Sequence, residues 1–286
     1  MVKLCPFKPV IYSGGMNKSK FIAPPYDVIN SPAQRELYKK DKFNVIRLIL
    51  GRKYPSDGKD RNYYIRAGKY FRKWLKNGTL VKERCALYIL KQEFFYQLKK
   101  YARTGIIARL DWSKTDTGQI LPHEATFRKH REDRRKLLRT LPYNFSPVFL
   151  ITGGVENIFK KAVKKAKRVS VYSNKDEKGS LYEVAGEDTE KITFFLRNKK
   201  FVIADGHHRF RVSRENYEKR PSEKYALVYI TDFTRPSCLI LSHADRKTRI
   251  PVSAIREVIA KKKLMGQKTT FFWPKLPSGL LIHPIK

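Results

Sequence analysis

The stretch Phe201-Val202-Ile203-Ala204-Asp205-Gly206-His207-His208-Arg209-Phe210 puts a carboxylate, two imidazoles and a guanidinium into one turn. Its four leading apolar residues suit a strand buried on both faces. Gly206 supplies a backbone that can take positive φ or approach a ligand closely. From Arg209 to Lys219 no breaker interrupts a polar helix, and Asp205 is placed to cap it. The first-turn N–H groups of such a helix, with the positive end of its dipole, favour an anion. A phosphate there would meet backbone N–H at Gly206 and His207, an imidazole from His207 or His208, and a bidentate Arg209. The plainer alternative is an ordinary cap, with Arg209 paired to Glu215 or Glu218.

Two further stretches carry usable groups. Ile120-Leu121-Pro122-His123-Glu124-Ala125-Thr126 sets a histidine and a carboxylate behind a proline. Glu124 suits a general base or metal ligand. The basic run Arg128–Arg139 follows. As a helix it places Arg131, Arg134, Arg135 and Leu138 on one face and Asp133 beside Lys129 and Leu137. Asp133 among these cations stays ionised, and Lys129 and Arg134 could neutralise phosphate; a solvated, salt-bridged face is the alternative. Near the start, Pro24 and Pro25 hold Tyr26 and Asp27 at a fixed place, as a site wall or as a plain turn.

The chain has no Walker-type glycine-rich loop and no Gly-x-Gly-x-x-Gly. Of the six histidines only His207 and His208 are close, and neighbours in sequence seldom chelate one ion together, so no metal site is assigned. A Mg²⁺ carried by nucleotide phosphate needs few protein carboxylates. Cys5, Cys85 and Cys238 are far apart and odd in number, which points to a reducing cytoplasm rather than a disulfide framework. No apolar run reaches the roughly 20 residues of a membrane span, and the N-terminus lacks a signal-peptide pattern.

These groups need elements to position them. Ser31-Pro32-Ala33-Gln34 predicts a helix start, with Ser31 as cap, running to about Lys40. Asn44–Leu50 reads as a strand stopped by Gly51, in which Arg47 needs a partner if buried. Tyr63–Leu75 is an amphipathic helix ended at Asn77-Gly78. Ala86–Leu90, Glu93–Leu98 and Thr104–Leu110 read as successive strands of a meander. Ser146–Thr152 is a strand, Glu156–Val169 an amphipathic helix with a lysine-rich outer face, and Ile192–Leu196 a helix or strand. Tyr225–Thr231 and Cys238–Leu241 are strands, and 269–284 two short strands about a Pro/Gly turn. The pattern is mixed α/β (α+β), a partly antiparallel sheet with flanking helices. Gly153-Gly154 marks the best boundary between an N-terminal part, 1–152, and a C-terminal part, 153–286, unless the two intertwine.

Lys and Arg number 62 against 26 acidic residues over 286, a net charge of +36. The excess is spread along the chain. It attracts polyanions and makes non-specific nucleic-acid binding an expected property, without defining a reaction.

The segments Ala23–Ile29, Asn44–Leu48, Gly105–Ala108, Pro122–Thr126, Asp133-Arg134, Ala204–Phe210 and Pro274–Leu280 resemble, in order, those of domain-of-unknown-function family 1015. They span most of the chain. The segment before the closing motif is shorter than in the family, and Ser242-His243-Ala244-Asp245-Arg246 only loosely resembles the Thr-His-Arg found there. The Asp205–Arg209 turn is also similar to the phosphate-binding motif of the ParB and sulfiredoxin superfamily. That superfamily includes CTP-hydrolysing partition proteins and free-serine kinases. The resemblance implies a ParB/sulfiredoxin-like core with insertions and nucleotide phosphate at the Asp205–Arg209 turn; the expected nucleotide- or phosphate-binding residues are Asp205, Gly206, His208, Arg209, His123 and Arg134. With the free-serine kinases as precedent, the leading expectation is a phosphotransferase that uses ATP or ADP with Mg²⁺ and L-serine as the leading acceptor. Glu124 or Asp27 would accept the hydroxyl proton, Glu124 being preferred because cations follow it, and His207 or His208 would donate to a phosphate oxygen. A ParB-like nucleotide- or nucleic-acid-binding protein without transfer chemistry, or a non-catalytic relative, is the alternative.

Overall fold

The computed structural model describes residues 1–15, 17–122, 128–175, 177–242, 253, 255–257, 270–273 and 276–286. The chain opens with β1 (Leu4–Cys5), β2 (Val10–Tyr12), a 3-10 turn at Tyr26–Val28, α1 (Ser31–Lys40), α2 (Ile46–Ile49) and α3 (Tyr63–Lys76). There follow β3 (Leu80–Lys82), β4 (Leu87–Tyr96), β5 (Lys99–Asp111), β6 (Ile120–Leu121), α4 (Arg128–Thr140), β7 (Tyr143–Asn144) and β8 (Val148–Thr152). Then come α5 (Glu156–Lys165), β9 (Lys167–Ser173), β10 (Glu177–Val184), α6 (Glu187–Leu196), β11 (Phe201–Asp205) and α7 (His207–Lys219). The chain closes with β12 (Tyr225–Asp232), β13 (Leu239–Ser242), β14 (Thr270–Trp273) and β15 (His283–Pro284).

Nine strands form one mixed sheet in the order β6-β11-β8-β12-β5-β4-β10-β9, with β1 paired to β5 beyond the end of β4. β6–β11 and β8–β12 are parallel; the other pairs are antiparallel. The sheet therefore draws strands from both sides of Gly153-Gly154.

Strict alternation sorts its side chains into two cores. Ile106, Ala108 and Leu110 of β5 join Ala226, Val228 and Ile230 of β12 and Phe201 and Ile203 of β11 on one face. Phe159, Ile192, Leu196 and Phe210, from α5, α6 and α7, cover that face. Ile107, Leu227, Tyr229, Val202 and Ala204 point to the other face, met by Phe7, Ile11 and the closing residues Leu276, Leu280 and Leu281. A third core unites α2, α3 and α4 around Trp74, Phe71, Ile46 and Leu137. No helix among the described residues is long and apolar enough to cross a membrane.

The architecture is mixed α/β with a largely antiparallel sheet, as expected, and several local expectations need correction. Asn30, not Ser31, caps α1, accepting from Ala33 N–H at 3.0 Å. Gln34 donates to the Leu50 carbonyl instead of closing a capping box. The apolar run at 44–50 holds the one-turn helix α2 rather than a strand. Asn44 anchors it by donating to the carbonyls of Lys20 and Ile22 and accepting from Ile46 N–H. Arg47 is satisfied by the carbonyls of Asp41 and Tyr38, at 2.8 and 2.9 Å. The three meander strands are two long ones, because β4 runs unbroken to Tyr96 and turns at Gln97-Leu98. α5 stops at Lys165, where the chain leaves to pair with β10 as β9. Ile192–Leu196 is the last turn and a half of a helix.

Candidate functional site

Strand β11, between β6 and β8, carries Asp205 at its C-terminal end, and the chain turns there into α7. Gly206 occupies the N-cap with φ +88°, in the left-handed region that an L side chain resists. Asp205, expected as the cap, stands one residue earlier. A Cβ on Gly206 would lie 2.6 Å from Nη2 and 2.8 Å from Nε of Arg209. Glycine is thus needed twice, for the turn and for the guanidinium folded back across it. Arg209 Nη2 donates to Asp205 Oδ2 at 2.7 Å, so its partner is neither Glu215 nor Glu218. The buried Nε of Arg209 has no hydrogen-bond partner among the described residues. Burial opposes its charge, but the fields of Asp205, Asp27 and Tyr26 outweigh burial and push its pKa up. His207 is buried as the first residue of α7, and His208 beside it is half-buried.

Two other elements converge on this turn. The guanidinium carbon of Arg134, on α4, sits 3.7 Å from the ring centroid of Tyr26, a close cation–π contact. Burial raises the Tyr26 phenol, Arg134 and Arg209 pull it down, and Asp27 and Asp133 add to the rise; the net shift is upward. Tyr26 therefore feels the charge of both Arg134 and Arg209. Asp27, next to it on the 3-10 turn, is exposed.

Asp133 orients Arg134. Its carboxylate accepts from the Tyr63 hydroxyl at 2.5 Å, the Tyr64 hydroxyl at 2.8 Å, and Arg134 through Nε at 2.9 Å and through Nη2. Burial would raise this carboxyl, yet Arg134 and the two phenols hold it below its ordinary value. Burial and Asp133 push the Tyr63 phenol well above the usual range, and Tyr64 up to about 12. Arg134 Nη2 also donates to the Ile49 carbonyl at 3.1 Å, tying α4 to α2.

A separate cluster fixes α4 against α7. Glu215 accepts from Arg131 at 3.1 Å, Arg135 at 2.5 Å and Arg211 at 3.2 Å. Burial would raise the Glu215 carboxyl, but the arginines more than reverse that. The arginines expected on one face of α4 therefore divide. Arg131 and Arg135 face α7, while Arg134 turns toward α2 and Tyr26.

The fold thus assembles Asp27, Arg134, Asp205, Gly206 and Arg209 from three distant stretches of chain, with His207 and His208 on the same turn. His123 and Glu124 lie outside the described residues. On their N-terminal side β6 lies beside β11, with Leu121 opposite Val202; on their C-terminal side α4 packs on α7. Tyr26 was expected as a site wall or part of a plain turn, whereas Tyr63, Tyr64 and Glu215 were not foreseen as site residues. Tyr63 and Tyr64 read as ordinary helix aromatics, and only the half-buried carboxylate of Asp133 opposite them reveals their role. No group of three or more His, Cys, Asp or Glu among the described residues could hold a metal ion. The arrangement offers first-turn N–H groups of α7 and two guanidiniums beside an exposed carboxylate. That is the chemistry of an anion held next to a proton acceptor.

A protein-family model described as "Protein of unknown function (DUF1015)" matches residues 4–243. No curated protein and no solved structure matches significantly.

Proposed function

Since the chain belongs to the DUF1015 family, whose activity is unassigned, we propose from its site chemistry that it is a phosphotransferase. It moves a phosphoryl group from ATP or ADP to a small hydroxyl substrate, with L-serine the leading acceptor. One observation carries the reading. The glycine-capped start of α7 meets Arg209, Arg134 and Asp27 in one place, and Arg209 keeps a buried donor, Nε, with no acceptor among the described residues. A phosphate oxygen is the acceptor that this donor and the first-turn N–H groups suit. Mg²⁺ would arrive on the nucleotide phosphates, with Asp27 as the exposed carboxylate at the site, and would neutralise charge there.

In the transfer, the acceptor hydroxyl oxygen bonds to phosphorus as the bond from phosphorus to the nucleotide's bridging oxygen breaks. The hydroxyl proton passes to a carboxylate, and the nucleotide leaves one phosphate shorter. Such catalysis is mostly positioning and charge neutralisation. Arg209 and the α7 amides hold the phosphate, Arg134 adds charge from the Tyr26 side, and His207 or His208 donates to a phosphate oxygen. Asp205 keeps Arg209 in place. Glu124 or Asp27 accepts the proton; Asp133, already accepting four hydrogen bonds, serves to position Arg134.

The test is thermal stability with ATP, ADP or CTP and Mg²⁺, with and without L-serine, followed by product analysis for phosphoserine. A nucleotide that raises Tm in the wild type and not in Arg209→Lys places phosphate at this turn. Loss of turnover in Glu124→Gln but not Asp27→Asn, or the reverse, identifies the base. Turnover that survives both Arg209→Ala and Glu124→Gln, or no nucleotide shift at all, overturns the reading.

A further inference from the structure

α5 and α6 lie side by side on the same sheet face. The end of α5 meets the start of α6, where Lys191 first and Lys165 in addition hold the Glu187 carboxyl below its usual range. At the other end Lys199, just past α6, donates to the Gly153 carbonyl just before α5, at 3.2 Å. The helices are therefore antiparallel, and their outward sides make one surface.

That surface has an unusual make-up at its α6 C-terminal end. Phe194 and Phe195, adjacent in sequence, are 64% and 40% exposed. Each carries a cation: the Arg197 guanidinium lies 3.9 Å from the Phe194 ring centroid, and the Lys199 ammonium 4.7 Å from that of Phe195. Along α5, which runs antiparallel to α6, Lys160, Lys161, Lys164 and Lys165 are all exposed and lead away from the phenylalanines toward the start of α6. Lys160 pairs with Glu156, whereas Lys161 and Lys164 make no ion pair among the described residues. The acidic residues of α6, Glu187, Asp188 and Glu190, are confined to its first turn, away from the phenylalanines.

From this juxtaposition we infer that the α5–α6 surface binds single-stranded nucleic acid, with bases stacked on Phe194 and Phe195 and phosphates along the lysines of α5. An aromatic face accepts any base, and cations that follow the backbone supply the rest of the affinity. A protein partner would have to match a strongly basic rim on a chain of net charge +36; a polyanion fits it directly. A duplex hides its base faces and leaves only the electrostatic part. This surface is built from other residues than the Arg209 turn and does not depend on the kinase reading.

Fluorescence anisotropy of a labelled oligothymidylate and of its duplex, at about 50 and 200 mM salt, tests the inference. The single strand should bind more tightly than the duplex. Phe194→Ala/Phe195→Ala should weaken single-strand binding about tenfold or more with the salt slope unchanged. Lys161→Glu/Lys164→Glu should flatten the slope. Phe95→Ala, which removes an equally exposed ring from β4, should change nothing. Equal affinity for strand and duplex, or a double-phenylalanine variant that binds like wild type, would reduce the surface to electrostatic adhesion and overturn the inference.

Discussion

Asp133 is the residue on which the site's geometry most directly turns, because its carboxylate fixes the guanidinium that stacks on Tyr26. Its pKa is lowered from the ordinary value of 3.8 on folding. The unfolded chain therefore takes up this proton at higher pH than the folded one. The stabilisation is complete above the unfolded value and is lost as pH falls through the folded one. Asp133→Asn should cost about 2 kcal/mol at neutral pH, the worth of hydrogen bonds to a charged group. The gap to wild type should narrow progressively as pH falls below the ordinary value of 3.8. Denaturation curves at stepped pH check this, and a pH-independent gap would assign the loss to packing alone. Gly206→Ala belongs to the same scale. The left-handed φ costs an alanine about 1–2 kcal/mol, and the new methyl would displace Arg209. The variant should fold with lowered Tm and lose the nucleotide-dependent shift expected of the wild type.

At the scale of elements, the hairpin joining β4 to β5 has a defect that can be repaired. Gln97 and Leu98 both sit at positive φ, +47° and +61°, and Leu98 is fully exposed. A two-residue turn of this hand favours Asn-Gly. Gln97→Asn/Leu98→Gly should stabilise the protein by about 1–2 kcal/mol, a rise of several degrees in Tm measured by calorimetry. The same hairpin shows what the sequence could not convey. Helices with strong end signals, α1 and α3, were legible to within a residue or so, and the polar α7 to within two. β4 was split in two because polar Lys91 and Gln92 interrupt its apolar run, although Gln92 is buried and bonded to Arg103 across the pair. α2 was read as a strand because Val45-Ile46-Arg47-Leu48-Ile49 suits either state, and Asn44's bonds to the 20–22 segment decide between them. At the site, the chemistry of the Asp205–Arg209 turn was legible from residue types. Its meeting with Tyr26 and Arg134 was not, because that contact depends on how α4 docks on α7 through Glu215, a pairing that local periodicity does not encode.

At the scale of the whole molecule the governing quantity is the charge of +36. Among the described residues most cations are exposed, and they far outnumber the acids, so the compact state repels itself more than the unfolded chain does. Raising sodium chloride from about 50 to 500 mM shortens the screening length to a few ångströms, and Tm should rise. It would fall if favourable surface ion pairs dominated instead. The half-buried pairs Asp205–Arg209 and Asp133–Arg134 are shielded from salt and should contribute little to either trend. Sodium sulfate at matched ionic strength adds two effects, general exclusion from the protein surface and occupation of an anion site. Arg209→Lys separates them. Exclusion stabilises wild type and variant alike, whereas an anion held at the start of α7 stabilises the wild type more. A sulfate increment larger in wild type than in Arg209→Lys would show that the Gly206 turn selects tetrahedral anions against the background of general positive charge. Equal increments would mean that the turn adds nothing to the attraction of the surface as a whole.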